Sequence, residues 1–240
     1  MLLSTTPPVV VSNPDLFDIV RQIYVQPLFN SGCISFELKD LEGKVILRSQ
    51  NFVGERSDFS LQFGTTNVGT LSLTTDPRRP VDSSQATAVA LQLAALCAWT
   101  SPWPQKIQAL EILWALKAAN PTFDWIGIYR RSKNTEMLTV SAYIGEPTEH
   151  IHIPLDQGIC GAAIRENKLL NIPDVRADSR FIACSIRTRS ELVIPIHNKR
   201  GEAIAEIDID SNTPNAFTTE HERIVRLACE RLGSIDGLFD

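Results

Sequence analysis

The sequence predicts an α+β fold, in which an antiparallel sheet has helices packed on one face. Strand-like segments alternate apolar and polar residues, most clearly in ELVIPIHNKRGEAIAEIDID at 191–210, a hairpin with its turn at NKRG. Helix-like segments place apolar residues three and four positions apart, as in IQALEILWALKAA at 107–119. The order helix, two strands, variable middle, two strands, helix accounts for each half of the chain.

The two halves match element by element. The helix-like segment at 17–29 and the strand pair at 33–49 correspond to 107–119 and 124–143. The segment LSLTTDPRRPVDSSQATAVALQL at 71–93 aligns without gaps to IDIDSNTPNAFTTEHERIVRLAC at 207–229, each a strand, a turn with Pro, a Ser/Thr cap and a helix. Two prolines in TSPWP at 100–104 interrupt helix formation. We therefore predict two domains, 1–100 and 101–240, the first a shortened and degenerate copy of the second.

Composition excludes several classes of protein. The 240 residues carry a formal net charge of −5 and no dense basic run, which disfavours binding to nucleic acid. The N-terminus lacks the pattern of a secretory signal, and the apolar-rich run at 86–99 falls short of the roughly 20 residues that span a bilayer. We expect a cytoplasmic protein with no membrane contact. The five cysteines show no disulfide or metal-ligand spacing, so we predict free thiols and no metal site.

Acidic residues share one face of the last strand. Alternation places Asp208 and Asp210 on one side with Glu206, and Glu191 begins the preceding strand. Such acids commonly face water. The first half, however, has Ser72 and Thr74 in place of Asp208 and Asp210, as expected if only the second half lines a pocket. Paired carboxylates suit a cationic ligand such as an amino-acid ammonium group, and they raise each other's pKa, so that one can donate a proton.

Two cysteines and two aromatic residues are the other candidates. Cys184 lies among arginines in DSRFIACSIRTRSE, a setting that favours a nucleophilic thiolate, although an inert thiol in a solvated basic loop is the alternative. Cys160 precedes a predicted helix, GAAIRENK, whose N-terminus favours thiolate; it could equally be a small residue in a tight turn. Trp125 and Tyr129 share one side of a strand, either as core aromatics or as a pocket wall.

Together these segments resemble the GAF domain family, and most closely its free methionine-(R)-sulfoxide reductases. The resemblance covers about 105–235 and rests on DWIGIY, IPLDQGICG, NIPDV, FIAC, SELVIPI, EIDIDS and FTTEHE in that order. It implies two tandem GAF-like units, the first degenerate. It also implies that Cys184 attacks the sulfoxide sulfur and that Cys160 resolves the resulting sulfenic acid as a disulfide. Glu191, Asp208 and Asp210 would surround the substrate, and Trp125 and Tyr129 would enclose its methyl-sulfur end.

The resemblance implies no bound cofactor, because an external dithiol of the thioredoxin type would reduce the disulfide. The expected partners are a small amino-acid ligand and this reductant, and a homodimer is left open. One position departs from the family, because His150 stands where a third cysteine is common. The alternatives are a GAF module that binds a small ligand or senses redox state without turnover, and a redox-responsive scaffold.

Overall fold

The computed structural model describes residues 18–49, 54–182 and 185–239. The chain divides into two compact units, Met1–Ala98 and Trp99–Asp240. The predicted domains, 1–100 and 101–240, have nearly the same boundary, and as a division into independent domains they stay a prediction. No helix in the described part of the chain is long and apolar enough to cross a membrane.

The first unit is a four-stranded antiparallel sheet with a helix before it and a helix after it. Its apolar side chains alternate along the strands, so that Phe36, Leu71 and Leu73 are fully buried on one face. The sheet order is β2-β1-β4-β3. The elements are a π-helical turn (Arg21–Val25), α1 (Gln26–Ser31), β1 (Cys33–Lys39), β2 (Val45–Arg48), β3 (Glu55–Phe63), β4 (Thr66–Thr75) and α2 (Ser83–Ala98).

The second unit is built on a six-stranded antiparallel sheet of order β7-β6-β5-β10-β9-β8. The hairpin predicted through NKRG is confirmed, since β9 and β10 pair along their length. Its elements are α3 (Trp103–Ala119), β5 (Trp125–Arg131), β6 (Met137–Ile144), β7 (His152–Pro154), α4 (Gly158–Glu166), β8 (Leu170–Ile172), a 3-10 turn (Val175–Ala177), β9 (Ser190–His197), β10 (Ala203–Ser211) and α5 (Thr219–Gly233).

The predicted cap of the last helix is present. The Thr218 hydroxyl accepts a hydrogen bond from the His221 amide, and the His221 ring accepts one from the Thr218 amide. Both bonds satisfy N–H groups that the first turn of a helix leaves without partners. The helix then packs on β9, where the Cys229 thiol donates to the Ile194 carbonyl at 3.5 Å. The apolar face of the sheet, which includes Ile207, therefore lies under α5.

The opposite face of this sheet is covered by the short helix α4, which contacts β9 and β10. The sequence predicts helices on one face only; this helix comes from the insert that the first half lacks. The four central strands, β6-β5-β10-β9, repeat the order β2-β1-β4-β3 of the first unit. The order is compatible with a tandem duplication, which stays a prediction.

Candidate active site

The four acidic side chains on the sheet face under α4 are buried. Glu191, Glu206, Asp208 and Asp210, which we call the acid face, are each at most 6% exposed. Pairing across β9 and β10 sets Glu191 directly opposite Asp210, and directly opposed residues in an antiparallel pair share a face. The alternative in which Asp208 and Asp210 are solvated is therefore wrong.

Burial changes the acidity of all four groups. It raises the pKa of Glu191, Glu206 and Asp210 well above the ordinary range, and the neighbouring charges, including that of Asp208, raise each of them further. Burial also raises the pKa of Asp208, to about 7, although a hydrogen bond from Cys160 opposes the shift. The acid face can therefore hold protons near neutral pH and donate them.

Cys160 lies over the acid face. It is the third residue of α4, which begins at Gly158, earlier than the sequence predicts. Gly161 allows this placement, because a Cβ there would be too close to the carbonyl oxygen of Leu155. The Cys160 Sγ lies 3.9 Å from Glu191 Oε1, and the side chain is buried. Because the thiol faces acids, carboxylates that ionise beside it oppose the thiolate that the helix N-terminus favours.

Cys184, the predicted nucleophile, lies outside the described residues, and its role stays a prediction. The arginines near it in sequence are described, and each forms an ion pair with an acid. Arg180 pairs with Asp178 at 2.7 Å, and Arg189 with Asp174 at 3.1 Å. Arg187 pairs with Glu146. These carboxylates partly neutralise the arginine-rich segment, which weakens the sequence argument for a lowered thiol pKa.

The two predicted aromatic residues stand across β10 from Glu191. Trp125 pairs in register with Asp210, and Tyr129 with Glu206, so both share the acid face. The indole of Trp125 lies flat over Gly127, where a Cβ would overlap the ring. Tyr143 stacks on this indole with ring centroids 5.5 Å apart. The aromatic wall, which we define as Trp125, Tyr129 and Tyr143, therefore borders the acid face.

A pocket of about 280 Å³ opens beside this wall. Trp125 and Asp210 line its inner side, and Arg187 and Glu146 lie at its rim. The Trp125 indole N–H donates to the carbonyl of Glu146 at 3.1 Å, which fixes the ring. The pocket can therefore admit a small ligand to Asp210 of the acid face and to Trp125 of the aromatic wall.

The structure brings together Cys160, Glu191 and Asp208, with Asp210, Trp125 and Tyr129 beside them. Sequence reasoning placed Glu206 on the acidic side but did not count it as a site residue, although the period-2 alternation of β10 is a sufficient signal. It missed Tyr143 and Gly127 altogether. A β-bulge between Ile128 and Tyr129 shifts the β5–β6 register, so alternation alone could not have paired Tyr143 with Gly127.

Known proteins share the second half of the chain. The model of the family described as "GAF domain" matches residues 115–235. Protein ZMO0507 of Zymomonas mobilis is 30% identical over 50% of this chain and 70% of its own. The free methionine-R-sulfoxide reductase of Escherichia coli is 31% identical over 47% of this chain and 66% of its own. The structure of the type II free methionine-R-sulfoxide reductase of Thermoplasma acidophilum superposes with a TM-score of 0.50, at 35% identity, over 52% of this chain and 87% of that one.

Proposed function

Since the chain belongs to the GAF domain family, and its relatives include free methionine-R-sulfoxide reductases, we propose that its second unit reduces free methionine-(R)-sulfoxide with thiols. The observation that carries this proposal is the Cys160 thiol, buried 3.9 Å from Glu191 on a face of carboxyl groups beside Trp125. A thiol and proton donors are what sulfoxide reduction needs, and an aromatic wall can hold the methyl-sulfur end of the substrate.

The acid face supports recognition of a free amino acid. Ionised carboxylates bind a primary ammonium group, and a buried acidic face would reject a substrate without that positive charge. The aromatic wall can accept the methyl-sulfur end, since methyl and thioether groups pack favourably on aromatic rings. The sulfoxide would then lie between the wall and Cys160.

The chemistry proceeds in two steps. The Cys184 thiol attacks the sulfoxide sulfur, and a carboxyl group of the acid face donates a proton to the sulfoxide oxygen. The S–O bond of the substrate then breaks as the oxygen passes to the Cys184 sulfur, and methionine leaves with Cys184 as a sulfenic acid. The Cys160 thiol then attacks Cys184, an S–S bond forms, and the oxygen leaves as water. Two thiols lose two electrons and the sulfoxide gains them. An external dithiol of the thioredoxin type returns the disulfide to thiols.

The test is a mixture of the two sulfur epimers of free methionine sulfoxide, supplied with dithiothreitol. We expect loss of the R epimer and retention of the S epimer. The matched substrate is N-acetylmethionine sulfoxide, which keeps the sulfoxide and removes the ammonium charge; it should react at least about 100-fold more slowly because the buried carboxylates lose their partner. Equal reduction of both epimers, or of the acetylated compound, contradicts the proposal.

A second candidate is a GAF module that binds a small ligand without turnover. It is favoured by His150, which replaces a cysteine that the family uses for recycling and leaves Cys160 as the resolving thiol. If this candidate is right, the epimer experiment forms no methionine. A separate calorimetric titration should then show saturable binding of methionine sulfoxide.

A further inference from the structure

Three side chains that are distant in sequence meet on the acid face. Cys160 comes from α4, Glu191 from β9 and Asp208 from β10, and one ligand atom of each lies within 4.8 Å of the others. All three are buried. We infer that this Cys160–Glu191–Asp208 cluster binds a thiophilic divalent cation, of which Zn²⁺ is the representative, through one sulfur and two carboxylate oxygens. The sequence predicts no metal site because none of the three pairwise spacings matches a metal motif.

The distances suit a tetrahedral ion. With Zn–S and Zn–O bonds of about 2.3 Å and about 2.1 Å, a sulfur and an oxygen ligand lie about 3.6 Å apart. Cys160 Sγ and Glu191 Oε1 lie 3.9 Å apart. The three ligand atoms lie within 4.8 Å of one another, so binding requires no pair of them to approach by more than about 1.4 Å. Three protein ligands also leave the fourth position for water or an external group.

An unpaired acceptor on the same face points independently to a cation. Asp208 Oδ1 is buried and accepts no hydrogen bond from the described residues. A buried acceptor without a donor is costly, and a coordinated cation would satisfy Asp208 directly. Glu206 lies two residues along the same strand face and is not one of the three ligands.

The sulfur decides which cations fit. Mg²⁺ and Ca²⁺ prefer oxygen ligands, whereas a thiolate selects Zn²⁺ and the softer divalent ions. Binding requires the Cys160 thiol to lose its proton, so the three ligands contribute three negative charges against two positive charges. A metal-bound Cys160 sulfur is unavailable for disulfide formation. The site therefore goes beyond the proposed reductase function, and occupancy would oppose it.

The experiment titrates the reduced, chelator-treated full chain with Zn²⁺ alone by calorimetry, and with Cd²⁺ alone by ultraviolet absorption, where a sulfur-to-cadmium charge-transfer band reports thiolate ligation. We expect one ion per chain. Cys160→Ser should weaken binding by at least about 100-fold and abolish the band, because the thiolate is the ligand that selects these ions. Asp208→Asn should weaken binding by about 10-fold or more and keep the band.

Cys97→Ser and Cys184→Ser are the matched cysteine controls and should keep both stoichiometry and band. Circular dichroism checks that each variant is folded, and Glu191→Gln tests the cluster again if Cys160→Ser does not fold. No binding by the wild type, a band that survives Cys160→Ser, or a band lost only in Cys184→Ser would each overturn the inference. Because no sulfoxide is present, a chain without reductase activity can still pass this test.

Discussion

Buried acidic side chains have ion-pair partners on one sheet face of the first unit and lack them on the acid face of the second, within the described residues. In the first unit, Glu37 stands opposite Ser72, which the sequence alignment matches to Asp208 of the acid face, and Glu37 is fully buried. Lys39 pairs with it at 2.7 Å, Arg56 at 3.5 Å, and Arg48 pairs more closely still. In the second unit, within the ranges that the structure describes, none of the four carboxyls of the acid face forms an ion pair.

The difference is visible in the pKa values. Burial acts to raise the pKa of Glu37, but the hydrogen bonds and charges of Lys39 and Arg48 outweigh it, and the net pKa is lowered. On the acid face, burial raises every pKa, and the charges of neighbouring acids raise those of Glu191, Glu206 and Asp210 further. Unbalanced buried charge destabilises a fold, and it is most often found where a ligand or a reaction uses it. We therefore expect the ligand site in the second unit and a structural role for Glu37 in the first.

The largest expected effect distinguishes Cys184, the predicted nucleophile, from Cys160, the predicted resolving thiol. Without reductant, the wild type should release one methionine per chain. Cys184→Ser should release none, because no sulfur remains to accept the oxygen, and Cys160→Ser should release one and then stall at the sulfenic acid. The measurement is methionine released per chain in a single addition of sulfoxide.

The first unit supplies the control for this experiment. Burial raises the pKa of Cys33 to about 11, so that its thiol is inert, and Cys33→Ser should release as much methionine as the wild type. Methionine release by Cys184→Ser at the wild-type level would contradict the assignment of the nucleophile.

The second prediction removes a carboxyl group from the acid face in one variant and adds one to the first unit in another. Asp208→Asn should lower kcat/KM by about 100-fold or more, because a proton donor and a partner of the ammonium group are lost. Ser72→Asp places a carboxylate at the corresponding position of the first unit, where Arg56 already donates to the Ser72 hydroxyl at 2.8 Å. That carboxylate should pair with Arg56 and leave activity unchanged. Wild-type activity in Asp208→Asn would mean that the acid face binds no substrate.

Alternation in the sequence was sufficient to predict the elements that contain the acid face. The β9–β10 hairpin and the shared side of Asp208 and Asp210 follow from a period of two. This period is kept around the two acids because the register shift of the pair lies between Ala203 and Ala205, before them in β10. Two features could not be predicted from this alternation. The ion pairs of Glu37 join residues on three strands, and the position of Cys160 over Glu191 depends on how α4 crosses the sheet. Both are set by tertiary packing, which a local pattern does not encode.

The third prediction concerns stability as a function of pH, which should change in opposite directions in the two units. The folded pKa of Asp208, about 7, lies above its ordinary value of 3.8. Its contribution to stability is therefore complete below pH about 4 and is lost as pH rises through about 7. The lowered pKa of Glu37 means that its contribution is present above its ordinary value of 4.5 and is lost as pH falls.

Tryptophan fluorescence can isolate the second unit, because all four tryptophans lie in it: Trp99, Trp103, Trp114 and Trp125. In urea denaturation with a chelator present, the loss of stability between pH 5 and pH 7 should be smaller in Asp208→Asn by on the order of 1–3 kcal/mol. Glu37→Gln should leave this slope unchanged. Identical slopes in the wild type and Asp208→Asn would show that Asp208 does not titrate in this range.

A smaller effect is expected from the glycine under the aromatic wall. In Gly127→Ala the new methyl group overlaps the Trp125 ring, which must move. We expect KM to rise by about 10-fold with kcat less affected, and stability to fall by about 1–3 kcal/mol. Gly43→Ala in the first unit, where a Cβ meets no neighbour, should leave KM unchanged. If Gly127 acts through Trp125, the substitution should add little to Trp125→Leu; full additivity would contradict this route.

The smallest expected effect is a partial recovery, and it concerns His150, the position where the family resemblance implies a third cysteine. The Tyr129 hydroxyl donates to the carbonyl of His150 at 2.8 Å, which holds position 150 beside the aromatic wall. In the Cys160→Ser background, His150→Cys supplies a second thiol there and should restore part of the thioredoxin-dependent turnover, since that thiol can condense with the sulfenic acid of Cys184. In the wild-type background the same change should have little effect, because Cys160 already resolves the intermediate.

The matched control is His152→Cys, an exposed position two residues further on. Steady-state methionine formation with thioredoxin, its reductase and NADPH measures all three. Equal recovery with His152→Cys would mean that any nearby thiol suffices, and no recovery with His150→Cys would mean that position 150 does not reach the sulfenic acid.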